Sequence, residues 1–205
     1  MTARQLAKDP FNLIITGVGG QGNVTISLII GNALVRDGYL VTIGETYGAS
    51  QRGGAVMSHM RISKVAQYSP FIPDGCADVI LGMEPAETLR MLGRYGNPNV
   101  LTIVNPRPIY SIDVTGGQAQ YPDLNTLIDS VKKLSAKTWI INATEEAKKM
   151  GDPVFANAIL IGAVIGSNVL PLNKKLTESI LREILPREIK PNLRAFNTGI
   201  KLAQQ

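Results

Sequence analysis

Cysteine is scarce in this chain. Cys76 is the only cysteine in 205 residues, so no disulfide can close within the chain, and neither a thiolate cluster nor a cysteine-based zinc site can assemble from it. An iron–sulfur centre needs several thiolates, so redox chemistry of that kind must be housed elsewhere. Histidine is equally rare: His59 stands alone, with no carboxylate or cysteine in its own stretch, and this argues for a structural imidazole over a metal ligand or a general base. Long charge runs are missing. The 21 basic and 16 acidic residues are scattered, with nothing beyond pairs such as Lys132-Lys133, Lys148-Lys149 and Lys174-Lys175, and the net charge of +5 reads as a solvated surface, with no nucleic acid as partner. Long apolar runs are missing too. The longest, Ala156 to Leu170, is broken by Asn157, Ser167 and Asn168, and the polar stretch Met1 to Pro10 does not resemble a signal peptide. The expectation is a cytoplasmic protein without a membrane partner.

With 44% hydrophobic and 18% charged residues, the composition is that of an ordinary globular chain, and one domain is the default. The sequence is organised around Leu13 to Ile30. Leu13 to Thr16 reads as a short buried strand that runs into Gly17, Gly19, Gly20 and Gly22, after which the apolar pattern resumes at a helical period. Glycine is needed where the backbone must turn through conformations closed to other residues and bring its N–H groups close to a guest. The helix start that follows favours an anion such as phosphate. The literal pattern is G-x-G-x-x-G, with Gln21 supplying an amide inside it.

The helix is expected from about Asn23 to Arg36, with Val24, Leu28, Ile29 and Ala33 on one side and a stop at Asp37-Gly38. Tyr39 to Ile43 reads as a second strand, a parallel neighbour of the first in a βαβ unit, with the glycine turn at their carboxyl edge. Glu45 follows Gly22 at a spacing compatible with a ribose ligand of a dinucleotide fold, but the glycine-rich segment behind it has no helical period. Glu45 to Gly54 reads instead as a functional loop, in which Ser50, Gln51, Arg52, Gly53 and Gly54 offer hydrogen bonds and a guanidinium fork to an anion or carbonyl. Ala55 to Ser63 alternates strictly and is expected to pair with Val65 to Ser69 as a hairpin, with Arg61 orienting a partner or ligand.

Further strands are expected at Asp78 to Gly82, Val100 to Val104 and Trp139 to Asn142. Pro85 opens a helix whose first turn carries Glu84 and Glu87 as capping acids, Asn105-Pro106-Arg107-Pro108 ends a strand, and Tyr110 to Pro122 is an irregular connection. Leu124 to Leu134 is an amphipathic helix, Thr144 and Thr177 are expected as helix caps, and Pro191 to Ala203 is a terminal helix. Asn157 to Gly166 is an apolar helix whose Gly162 and Gly166 allow another backbone to approach.

The run Gly17-Val18-Gly19-Gly20-Gln21-Gly22, the Ser50-Gln51-Arg52-Gly53-Gly54 end of the loop, Ser58-His59-Met60-Arg61, and Ser69-Pro70 through Asp78 to Pro85 together resemble the gamma-type domain of 2-oxoacid:ferredoxin oxidoreductases. The likeness is greatest to indolepyruvate-type members, and it extends through Val104-Asn105, Tyr121-Pro122 and Asn157 to Gly162. It departs at Tyr47-Gly48-Ala49, where a histidine-glycine-methionine run is usual, and this leaves the 2-oxoacid open. The resemblance implies an α/β fold with a Rossmann-like, mostly parallel sheet flanked by helices and an inserted β-hairpin. Residues 1–205 would form one pyruvate/ketoisovalerate oxidoreductase gamma-type domain, with 1–10 as a flexible lead-in.

It also implies a subunit without its own hard cofactors, in a complex that oxidatively decarboxylates a 2-oxoacid to an acyl-CoA and reduces ferredoxin. Known thiamine diphosphate sites start on Gly-Asp-Gly with a later Asn for magnesium, and Gly151-Asp152-Pro153 has neither. Thiamine diphosphate, magnesium and iron–sulfur clusters would belong to an alpha subunit in a hetro-oligomer, with ferredoxin reached through the complex. Gly17, Gly19, Gly20, Gln21 and Gly22 with Ser50, Gln51, Arg52, Gly53 and Gly54 would then hold CoA or clamp the alpha subunit, and no residue carries a catalytic or metal role. Two other classes stay open on the residues alone: a stand-alone dinucleotide- or nucleotide-binding enzyme, and a filament-type GTPase, which would need a second glycine-threonine-rich phosphate loop that the sequence lacks.

Overall fold

Strand β1, Phe11–Val18, is buried along its whole length, as a central strand with a layer of helices on each face must be. The structure, a computed structural model, describes residues 6–47, 54–110 and 112–205. Around β1 stand β2 (Leu40–Tyr47), β3 (Ala55–Ser63), β4 (Val79–Gly82), β5 (Leu101–Val104) and β6 (Lys137–Ile140). Among the described residues these strands form one sheet in the order β2-β3-β1-β4-β5-β6. β1, β4, β5 and β6 pair in parallel, and β3 alone runs against its neighbours. The sheet is therefore mostly parallel, and the carboxyl ends of β1, β4 and β5 lie along one edge.

The order corrects two expectations. β1 and β2 point the same way but are not neighbours, because β3 lies between them, with Met60 opposite both Leu13 and Ile43. The alternating sequence of β3 has buried residues on both faces, Met60 and Ile62 on one and His59 and Ser63 on the other, so it takes a central place. The hairpin of β3 with Val65 to Ser69 does not form. The Ser63 hydroxyl accepts from the N–H groups of Val65 (2.9 Å) and Ala66 (3.1 Å), a local turn that competes with strand pairing, and Val65 is exposed. β3 instead pairs antiparallel with β2 on one side and β1 on the other.

Alternation along the strands feeds two cores. Leu13, Ile15, Val79 and Leu81 face one, and Ile14 and Ile80 the other. The first core is covered by α1 (Asn23–Arg36), α5 (Ala143–Lys149), α6 (Ala156–Gly166), α7 (Lys174–Ile184) and α8 (Ile189–Leu202). The second is covered by α2 (Pro85–Tyr95) and α4 (Leu124–Lys133), and a short helix α3, Ile112–Thr115, interrupts the connection expected to be irregular. Helix α1 has the expected bounds but turns a different face inward. Ile26, Ile29, Ile30, Ala33 and Leu34 are buried at helical spacing, while Val24 and Leu28 are exposed.

Two caps also differ. Asn142 stands at the N-cap position of α5 without a side-chain capping bond, and Thr144 lies inside the helix, its Oγ1 accepting from Asn105 Nδ2 at 2.9 Å. Asn173 caps α7 by accepting from Lys175 and Leu176, which leaves Thr177 inside the helix with its hydroxyl on the Asn173 carbonyl. Helices α6 and α8 cross at backbone contact. A Cβ at Gly162 would run into the Phe196 carbonyl, and one at Gly199 into the Ile159 carbonyl, so the packing role expected for Gly162 is met by a glycine on the opposite helix. The lead-in is tied down from Leu6 onward: Leu6 packs on the first core and Asp9 accepts from the Lys64 N–H. No helix among the described residues is long and apolar enough to cross a membrane.

Candidate functional site

The glycine turn leaves β1 at the carboxyl edge and opens α1, with Gly20 at φ 100° and Gly22 at φ 91°, conformations that side chains with a Cβ rarely adopt. Gln21 holds the turn together. Its Oε1 accepts from the Val18 N–H at 2.7 Å, and its Nε2 donates to the Met83 carbonyl at 3.1 Å, stitching the end of β1 to the end of β4. Gly17 is closed over by that amide and by Met83, and the Gly19 N–H is spent on the Gly54 carbonyl at 2.8 Å. Gly54 therefore docks the far end of the β2–β3 connection onto the glycine turn. Ser50, Gln51, Arg52 and Gly53 lie outside the described residues.

What the turn leaves free is the space above it. Gly20, Gln21, Gly22 and Thr25 form one wall of a cavity of about 860 Å³, a size that suits a cofactor or a nucleotide-bearing molecule. Nothing lies within 4 Å of where a Cβ on Gly20 would stand, whereas Asn157, from the first turn of α6, closes over Gly22. Helix α1 starts on Gly22 without a side-chain cap and without an acid in its first turn, so its leading N–H groups and the positive end of its dipole remain available to an anion.

The opposite wall was not legible as a site. Asn105, Arg107, Pro108, Ile109 and Tyr110 leave the carboxyl end of β5, and Thr144 and Lys148 come from α5. Arg107 and Lys148 bring positive charge to the cavity, and no described residue lining it is a carboxylate. Lys148 is shared with Glu145 at 2.8 Å, and that hydrogen bond, with Arg107 adding to it, holds the Glu145 carboxyl below its ordinary range. Asn105 is buried and fixes the floor, donating to the Met83 carbonyl (3.3 Å) and to Thr144. The available signal was positional: a charged residue between two prolines at the carboxyl end of a parallel strand, where such sheets bind ligands.

The wall is anchored from below by Tyr121, whose phenol donates to the Glu84 carboxylate and whose ring meets Tyr110 edge-on at 5.3 Å. Burial, then the hydrogen bond to Glu84, pushes the Tyr121 phenol far above its usual range, so it stays a donor. Glu84 meets its expected capping role by accepting from the Glu87 N–H at 2.8 Å.

Other residues singled out in the sequence are engaged in the scaffold. Glu45 lies within β2, and its two oxygens accept from Ser27 (2.9 Å) and Ser58 (2.7 Å), which takes it away from a ribose role. Arg61 donates to Asn12 at 3.2 Å and stacks on Tyr68, a structural anchor where a ligand or partner contact was expected. His59 is buried between Phe71 and Tyr95, each ring edge-on, and its Nδ1 accepts from the Ile72 N–H at 3.2 Å. Burial, with Arg94 adding to it, lowers its pKa, so the imidazole is neutral and structural. Iron–sulfur clusters do not fit the residues present, since they need several thiolates and the chain has one cysteine.

Comparison with known proteins follows the same lines. The family model described as pyruvate ferredoxin/flavodoxin oxidoreductase matches residues 12–202. Indolepyruvate oxidoreductase subunit IorB of Archaeoglobus fulgidus is 39% identical over 193 residues, which cover 94% of each chain. The fold matches the gamma subunit of a keto/oxoacid ferredoxin oxidoreductase from Geobacter sulfurreducens with a TM-score of 0.66 and 21% identity, covering 94% of this chain and 98% of that one. It also matches 2-oxoglutarate:ferredoxin oxidoreductase from Magnetococcus marinus, a structure with 2-oxoglutarate, coenzyme A and succinyl-CoA bound. There the TM-score is 0.74 at 19% identity, and the match covers 96% of this chain and 31% of that one.

Proposed function

The chain belongs to the pyruvate ferredoxin/flavodoxin oxidoreductase family and is a subunit of a 2-oxoacid:ferredoxin oxidoreductase, and from that premise we propose that it is the cofactor-free member of a cytoplasmic complex acting on an aryl pyruvate such as indolepyruvate. The complex decarboxylates the 2-oxoacid, joins the acyl group to CoA and passes the electrons to ferredoxin. Thiamine diphosphate with magnesium, and the iron–sulfur clusters, sit on the alpha subunit, where they supply carbon–carbon cleavage and electron transfer. The observation that carries the aryl pyruvate reading is the 39% identity to an indolepyruvate oxidoreductase subunit over 94% of both chains.

This chain's own part is to seat CoA. The open N-terminus of α1 above Gly20, Gly22 and Thr25 takes phosphate, with Arg107 and Lys148 facing it across a cavity that no carboxylate lines among the described residues. Gln21 and Asn105 act as braces, holding the turn and the floor in place. Arg52, on the loop whose end docks at Gly19, adds a second guanidinium to CoA or to the alpha subunit. The test is reconstitution with the alpha subunit and a panel of aryl and aliphatic 2-oxoacids. The expected result is CoA-dependent ferredoxin reduction, fastest with aryl pyruvates. Preference for an aliphatic 2-oxoacid would overturn the substrate assignment, and turnover by the chain alone would overturn the division of labour.

A further inference from the structure

The glycine-turn cavity has an apolar part as well as a charged one. Tyr110 and Val154 both line it, and they are 60% and 58% exposed although each is a large apolar side chain. They come from separate elements, the segment that leaves β5 and the turn ahead of α6. The Tyr110 ring meets Tyr121 with 5.3 Å between centroids and 77° between planes. Such an edge-on contact covers at most one face of a ring, so at least one face of Tyr110 is left bare. The segment that carries Tyr110 is pinned at both ends to adjacent residues beyond β4. Asn105 donates to the Met83 carbonyl at 3.3 Å, and the Tyr121 phenol donates to the Glu84 carboxylate. Glu84 is itself buried and fixed, since its other oxygen accepts from the Glu87 N–H at 2.8 Å at the start of α2. Tyr110 is thereby held on the same wall as Arg107.

From this arrangement we infer that Tyr110 is the surface on which the adenine ring of CoA lies, and that Tyr121 is a positioning residue that sets the Tyr110 ring through its bond to Glu84. The inference rests on the CoA reading above. A nucleotide joins a flat base to phosphates, and one lining offers both counterparts. The base meets a bare aromatic face with Val154 as a further apolar neighbour, and the phosphates meet Arg107, Lys148 and the open N-terminus of α1. An aryl pyruvate also joins a ring to an anion, but its single carboxylate would leave most of this positive lining unanswered. This chain therefore holds the nucleotide half of CoA, which leaves the pantetheine arm and its thiol to extend toward the alpha subunit.

The test uses the complex with the alpha subunit, and measures kcat, the KM for CoA, the KM for the aryl pyruvate, and inhibition by adenosine 3′,5′-bisphosphate, the nucleotide fragment of CoA. Tyr110→Ala should raise the KM for CoA and the inhibition constant of the bisphosphate by a common factor, roughly five- to a hundredfold, the range of a lost base–aromatic stack. The loss should fall on KM for CoA and not on KM for the aryl pyruvate, and Tyr110→Phe, which keeps the ring face, should restore both constants. Tyr121→Phe keeps its ring and loses the bond to Glu84. It should raise the KM for CoA in the parent and add nothing in the Tyr110→Ala background, whereas a merely structural role would add the same effect in both. A KM for CoA unmoved by Tyr110→Ala, or a rise in the KM for the aryl pyruvate in its place, overturns the inference, and an equal added effect of Tyr121→Phe in both backgrounds overturns its positioning role. Arg107→Ala tells the two failures apart. If it raises the KM for CoA and Tyr110→Ala does not, CoA occupies the cavity and only the stack fails; if neither moves it, the CoA reading falls.

Discussion

Replacing Gln21 by methionine separates a brace from a ligand contact. The amide makes two bonds, accepting from Val18 at 2.7 Å and donating to Met83 at 3.1 Å, and methionine keeps the length while losing both. The N–H of Val18, itself only 7% exposed, would be left unpaired, a cost of about 1–3 kcal/mol. The Met83 carbonyl keeps Asn105 Nδ2 at 3.3 Å, so loss of the second bond costs only about 1 kcal/mol. Together the change should cost roughly 2–4 kcal/mol, which in a chain of this length lowers the melting temperature by roughly 4–16 °C. Differential scanning calorimetry of the isolated chain measures this directly, and CoA titration of the assembled complex measures the other role. A melting temperature within about 1 °C of the parent, combined with a large loss of CoA affinity, would refute the brace and return Gln21 to the ligand.

Gly199→Val should destabilise the α6–α8 crossing by about 1–3 kcal/mol or more, because its Cβ would meet the Ile159 carbonyl, and a melt reads this without any partner. His59 gives a pH dependence. The unfolded chain takes up a proton near the ordinary imidazole value of 6.5 and the folded chain resists it, so stability should be steady above that pH and fall as the pH drops below it. His59→Phe should flatten that fall in urea titrations between pH 8 and 5, and an unaltered slope would refute the assignment. Arg107→Ala should raise the KM for CoA roughly ten- to a hundredfold with the fold intact, an effect absent if the cavity serves another purpose. Arg52→Ala should weaken CoA use or subunit association, and Arg52→Lys should restore it only in part, because an ammonium cannot make the two-pronged contact; parent-like behaviour of both removes the loop from the mechanism.

The parts of this fold that could be read in advance are those where local chemistry decides. The glycine turn, α1 with its stop at Asp37-Gly38, the start of α2 at Pro85 and the strict alternation of β3 all follow from residues within a turn or a few positions of the feature. Strand order did not follow, because it depends on which strand buries two faces: β3 inserts between β1 and β2, and only Met60 facing Leu13 and Ile43 at once makes that visible. The α1 face was misjudged for a related reason. The run Ile26 to Ile30 is apolar on more than one side, so periodicity alone admits two stripes, and packing chooses the one containing Ile26 and Leu34. At the site, half of one wall was legible as a glycine motif. Arg107, Lys148 and Asn157 converge from three separate elements, and no spacing along the chain announces that meeting.

The most direct test of the division of labour is reconstitution from separately purified subunits, with ferredoxin reduction followed spectroscopically in the presence of CoA and an aryl pyruvate. Turnover should require both subunits, with all iron and thiamine diphosphate found on the alpha subunit and none on this chain. CoA-dependent ferredoxin reduction by this chain alone, or full activity of the alpha subunit in its absence, would contradict it.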